Sequence, residues 1–129
     1  MNHSQLLIQL MLALLFTHEL DAMTQFEWRL LYVLRDLSES EGRWWFVLIH
    51  VPMFWVLIAL THHAHAGVQR ASRLGLAVFC IVHAGLHLRL RDDPLSNFIS
   101  PLSWSLILGA AFLGCVYLAF ASRSSLSHP

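Results

Sequence analysis

The chain has 129 residues, enough for one domain, of which 57% are hydrophobic and 12% charged, with a mean hydropathy of +0.58. A soluble domain carries roughly 25% charged residues, so this composition excludes a soluble globule and a disordered tail. Eight basic residues (all Arg) balance eight acidic ones, which leaves no basic field to attract nucleic-acid phosphates.

Four apolar stretches follow one another along the chain. The first runs from Leu6 to about Met23, the second from Trp44 to Leu60, the third from Leu74 to Leu90 and the fourth from Leu102 to Ala121. Each is close to the ~20 residues that cross ~30 Å of hydrocarbon as a helix, and lipid leaves no other way to satisfy a single segment's backbone. The first stretch lacks the basic flank and small-residue cleavage site of a signal peptide. The expected architecture is therefore all-α, a single integral membrane domain over residues 1–129 with spans at about 6–23, 44–60, 74–90 and 102–121. Between the first two spans, FEWRLLYVLRDL reads as a short amphipathic helix, either prolonging the first span or lying in the interface. SESEG, Ser38 to Gly42, reads as the turn that ends it.

Four spans put both termini and the second link on one side, side A, and the first and third links on the other, side B. Arg counts are three on side A (Arg70, Arg73, Arg123) and five on side B (Arg29, Arg35, Arg43, Arg89, Arg91). The positive-inside rule then leans towards a cytoplasmic side B.

Ionisable residues inside a span are expensive and point to function. At the helical rise, His18, His50, His83 and His87 fall about 8, 9, 12 and 6 Å below the side B surface. Three different spans thus bring imidazoles to one slab. His83 and His87 are i,i+4 on HAGLH and share a helix face, the spacing with which helical zinc sites grip one ion. His18 and Asp21 share a face at i,i+3, and Glu19 is turned about 100° from His18. Pro52 is expected to kink the second span beside His50, and Gly85 to admit a neighbouring helix. The expected metal ligands are His18, Asp21, His50, His83 and His87, with Asp21 as a ligand or its hydrogen-bond partner. A bound cation would give every imidazole lone pair a partner and let the carboxylates ionise.

Other polar groups read differently. His62, His63 and His65 lie at the side A end of the second span, some 20 Å or more from the slab by helix rise, as a solvated loop. His3 and His128 are terminal. Arg29 reads as a surface partner of Glu27, and the five Trp as mostly an interfacial belt. Cys80 and Cys115 sit in apolar runs as small fillers, and Gly109 and Gly114 mark a packing face.

The runs THELDA (Thr17–Ala22), EWR (Glu27–Arg29), HVP (His50–Pro52) and HAGLH (His83–His87) resemble, in order and spacing, an uncharacterised family of small bacterial four-helix integral membrane proteins. The resemblance covers roughly Leu6 to Leu90 and implies the fold and a place in the bacterial cytoplasmic membrane, but no activity. A fainter likeness is to small membrane proteins named for a His-x-x-Glu-Glu motif, from which this chain departs because Glu19, Leu20 and Asp21 follow His18. Intramembrane zinc hydrolases and His-rich di-iron lipid oxidases are similar in placing His in lipid, although the latter need more His than side B offers.

The expected function is a metal site near one membrane face, holding one transition-metal ion, zinc or iron. With zinc, three His and an open position suit hydrolysis of a lipid-borne ester or amide, with Glu19 as the general base. With iron, the expectation is oxidation of a lipid or quinone. Two alternatives come from other classes: a bis-His haem b electron-transfer subunit, and a non-enzymatic membrane module or small transporter relaying protons. Membrane lipid and a lipid-phase small molecule are the expected partners, and nucleic acid is not one.

Overall fold

Four helices account for most of the computed structural model, which describes residues 3–126: α1 (His3–Thr24), α2 (Glu39–Thr61), α3 (Ala66–Leu90) and α4 (Pro101–Leu126). His128 lies outside the described residues. All four helices are long and apolar enough to cross a membrane. The fold is an all-α bundle in which α4 packs along both α1 and α3, while α2 rests mainly against α3.

Local chemistry sets the ends of these elements. Ser38 and Glu41 form a capping box at the start of α2: the Ser38 hydroxyl accepts from the Glu41 amide, and the Glu41 carboxylate accepts from the Ser38 amide. SESEG is thus the first turn of α2 rather than the turn before it. Pro101 opens α4, where its missing amide has no cost, and Ser100 Oγ accepts from the Ser103 amide.

The first link differs from the expected amphipathic helix. Thr24 Oγ1 donates to the Asp21 carbonyl at the end of α1, and Phe26 then takes a left-handed conformation, φ 58° and ψ 36°. That conformation is uncommon for a bulky residue and ends any continuous helix. A single 3₁₀ turn, Glu27–Leu30, follows. It carries Glu27 and Trp28 inward, both buried, and the rest of the link lies on the surface as turns.

Trp28 belongs to a core cluster with Ala22, Phe46, Ala84, Phe98 and Ile107 at the side B end, which removes it from the interfacial belt. Trp44, Trp45 and Trp55 remain exposed on α2, where a bilayer would meet them. A second cluster, including Ile8, Met11, Leu15, Leu76, Ala77 and Cys80, joins α1, α3 and α4 further along. There a Cβ on Gly114 would meet the Ala77 carbonyl oxygen at 2.7 Å, so α3 and α4 touch backbone to side-chain-free backbone. Gly85, expected to admit a neighbour, faces open space.

Gly42 carries the tightest fit. A Cβ there would lie 2.5 Å from Trp28 Cε3, so the indole lies against α2's first turn only because that residue has no side chain. Gly42→Ala should therefore destabilise the fold by about 1–3 kcal/mol, the usual penalty for overpacking. Thermal unfolding of the detergent-solubilised protein measures it, and an unchanged midpoint would contradict this packing.

Candidate metal centre

Four side chains from three elements converge at the side B end: His18 on α1, Glu27 in the 3₁₀ turn, and His83 and His87 on α3. Their nearest donor atoms all lie within 4.8 Å of one another. His87 Nε2 is 3.2 Å from His83 Nε2. The Glu27 carboxylate spans two of the rings, with Oε2 3.6 Å from His18 Nε2 and Oε1 3.6 Å from His87 Nε2. His18, Glu27 and His87 are buried and His83 is half-buried.

The His83–His87 separation and the two to Glu27 are close to the edge of a coordination shell, while the group as a whole is bounded at 4.8 Å and would have to draw in around an ion. Bonds of about 2.0–2.1 Å to nitrogen or oxygen in a tetrahedron put the donors about 3.3 Å apart. Both ring nitrogens of His18 and Glu27 Oε2 are buried without a hydrogen-bond partner, an expensive condition unless something else meets them. An ion among the four donors supplies a partner for Glu27 Oε2 and for one of the two His18 nitrogens. The rings pack edge to face, with centroids 5.0 Å apart for His18–His83 and His18–His87 and 4.6 Å for His83–His87.

His50 and Glu19 lie outside this group and form a pair of their own. His50 Nδ1 donates to the Phe46 carbonyl, and Nε2 lies 2.9 Å from Glu19 Oε2, with one proton between them. The His50 ring sits between Phe46 and Phe54. Asp21 is also outside: Oδ1 accepts from Gln25 Nε2 at 3.3 Å, while Oδ2 is buried without a partner. His62, His63 and His65 are exposed at the opposite end.

Glu27 is the donor that sequence reasoning placed on the surface. Arg29 instead pairs with Glu39 at 3.8 Å, and Glu39 also holds Arg43 at 2.8 Å. The short 3₁₀ turn separates the inward Glu27 from the outward Arg29. The available signal was a carboxylate set between two aromatics, Phe26 and Trp28. Phe98 closes the site from the third link, 4.5 Å from the His87 ring and 5.6 Å from the His18 ring. That link is fixed by Asn97 Nδ2 donating to the Gln25 carbonyl.

A model of a family of unknown function, DUF6713, matches residues 4–124. The chain belongs to DUF6713. No curated protein and no solved structure matches it. The DUF6713 match runs past Leu90 to take in α4, and it includes all four converging residues.

Burial pushes the Glu27 carboxyl up from 4.5 to about 8; the nearby Glu19 and Asp21 charges act in the same direction and His50 against it. In metal-free protein the folded state holds this proton more tightly than the unfolded chain, so the group's contribution to stability is complete below pH 4.5 and is lost as pH rises through about 8. A divalent ion displaces the proton and reverses the trend. Chelated protein should therefore gain more thermal stability from added Zn²⁺ at pH 8 than at pH 5.5. Equal gains at the two pH values would contradict this assignment of Glu27.

Proposed function

We propose that this membrane protein holds one transition-metal ion, zinc or iron, at His18, Glu27, His83 and His87, and uses it on a lipid-phase substrate in the bacterial cytoplasmic membrane. The observation that carries the reading is the convergence of three imidazoles and a carboxylate with donor atoms within 4.8 Å of one another, three of the separations being 3.2–3.6 Å, and with buried His18 and Glu27 atoms that have no other partner. Three neutral nitrogens and one carboxylate oxygen suit either metal.

The bound ion would supply Lewis acidity and, as zinc, a water whose pKa falls to about 7. The residues supply the rest. Four protein donors fill a zinc tetrahedron, so hydrolysis of a lipid-borne ester or amide calls for a fifth position or for one Glu27 oxygen to stand aside. Iron accepts a larger shell and leaves positions open beside the same donors, which suits oxidation of a lipid or quinone. For the hydrolytic case Glu19 is the general base, and His50 orients its carboxylate through the 2.9 Å bond. An apolar groove of about 1010 Å³ runs between the first link and α2, lined by Tyr32, Leu34, Trp45, Ile49 and Pro52 among others.

Elemental analysis of purified protein for zinc and iron tests the proposal. Wild type should carry close to one ion per chain, and His83→Ala with His87→Ala should lose it. Glu27→Gln should weaken binding at least tenfold through loss of the anionic donor, whereas His50→Ala should keep near-full stoichiometry. Absence of both metals from wild type would overturn the site. Loss of metal in His50→Ala with Glu27→Gln unaffected would overturn this ligand set.

A further inference from the structure

A single ion serves only part of the polar group buried around the centre. Among the described residues, His18 Nδ1 and Nε2, Asp21 Oδ2, Glu27 Oε2 and Trp28 Nε1 are buried without a hydrogen-bond partner. His18 presents Nε2 to Glu27 Oε2 at 3.6 Å, so an ion there meets those two atoms. Left over are His18 Nδ1, Asp21 Oδ2 and the Trp28 indole nitrogen. A neutral imidazole that binds a metal through one nitrogen carries its proton on the other, and at 1% exposure the His18 ring is closed off from solvent. Its Nδ1–H is then an enclosed donor in need of an acceptor. His50 meets the same need with the carbonyl of Phe46, four residues back, whereas His18 makes no such bond.

We propose that Asp21 is a positioning residue for the metal centre, accepting the His18 Nδ1 proton directly or through one bridging water and so holding Nε2 towards the ion. The proposal rests on the metal reading above. His18 and Asp21 stand at i,i+3 and share a face of α1, and Gln25 continues that face at i+7. Gln25 Nε2 donates to Asp21 Oδ1 at 3.3 Å, which engages one carboxylate oxygen and leaves Oδ2 as the free acceptor. The Gln25 carbonyl in turn accepts from Asn97 Nδ2, and the adjoining Phe98 packs on the His18 and His87 rings. A ligating His commonly donates its second N–H to a carboxylate or a water, which fixes the tautomer and raises the basicity of the ligating nitrogen. A water bridge serves nearly as well as a direct bond. The competing donor for Asp21 Oδ2 is Trp28 Nε1, on an indole set by its contact with Gly42. Service to Trp28 alone would support the fold and leave metal affinity unchanged.

Titration of the chelated full chain in detergent with Zn²⁺, against a chromophoric chelator at one fixed pH, tests the role. Wild type should bind one ion. Asp21→Ala should still bind one, with affinity lowered roughly 10–100-fold, the usual loss when such a partner is removed, and Asp21→Glu should recover most of it. In zinc-loaded protein labelled with ¹⁵N-histidine, the His18 Nδ1 proton should exchange slowly in wild type and much faster in Asp21→Ala. If far-UV circular dichroism shows that Asp21→Ala does not fold, Asp21→Asn keeps the side-chain size and should weaken zinc binding in the same direction. Zinc affinity unchanged in Asp21→Ala, Asp21→Glu as weak as Asp21→Ala, or a change confined to the Trp28 indole N–H signal would each overturn the proposal while leaving the metal site standing. Wild type that binds no zinc would overturn the metal reading itself, so the two failures are told apart by the wild-type titration.

Discussion

Everything at the side B end depends on burying one carboxylate among three imidazoles. An isolated buried carboxylate is among the most unfavourable groups a fold can enclose, and Glu27 is enclosed at 9% exposure. The chain spends several local features to put it there. Phe26 adopts a left-handed backbone, a 3₁₀ turn follows, Trp28 lies against a residue without a side chain at Gly42, and a capping box sets the start of α2 so that Gly42 meets the indole. Removing any of these would leave Glu27 free to turn outward, as its neighbour Arg29 does. A cation among the donors is the simplest reason for all of them to agree, since it turns the least favourable group in the bundle into a ligand.

The same geometry explains which helices the centre joins. A bound ion would tie α1, the first link and α3, and α4 is already packed along both helices. No donor comes from α2. That helix is attached near the site by the Gly42–Trp28 contact, by Phe54 stacked on Phe16 at 4.0 Å, and by the His50–Glu19 bond. Interhelical polar contacts in lipid are worth on average ~0.6 kcal/mol, well below a metal–ligand set. Much of the rest of α2 exposes apolar side chains, including Trp55, Val51 and Ile49, as a lipid-facing helix should.

How far the sequence could be read follows from which physical variable each feature depends on. Span number and length follow from hydropathy, and the depth of each His follows from the helical rise, so the four-helix fold and the gathering of imidazoles at one end were legible. The pairing of His83 with His87 is a property of one helix and was legible too. Rotation of one helix against another is not encoded locally. Depth puts His50 level with His18, yet His50 faces Glu19, while Glu27, off the helices altogether, faces the imidazoles. Its inward direction depends on the φ of Phe26 and on a tertiary contact at Gly42, neither of which periodicity reports. The start of α2 was readable in principle, because Ser38-x-x-Glu41 is a capping-box pattern. The prolongation of apolar character through FEWRLLYVLRDL masked it by suggesting a helix that ends there.

Helix direction adds a last constraint that favours this end of the bundle for a cation. All three imidazole donors come from α1 and α3, the helices whose C-terminal ends face side B, and His87 stands in the last turn of α3. Helix C-termini carry partial negative charge and favour cations, whereas N-termini favour anions. The two helices that present N-termini at this end, α2 and α4, provide none of the donors. At the other end α3 starts, its first turns carry Arg70 and Arg73, and no Asp or Glu side chain is present among the described residues. One bundle of alternating helices thus separates a carboxylate-rich end with a buried imidazole cluster from an arginine end.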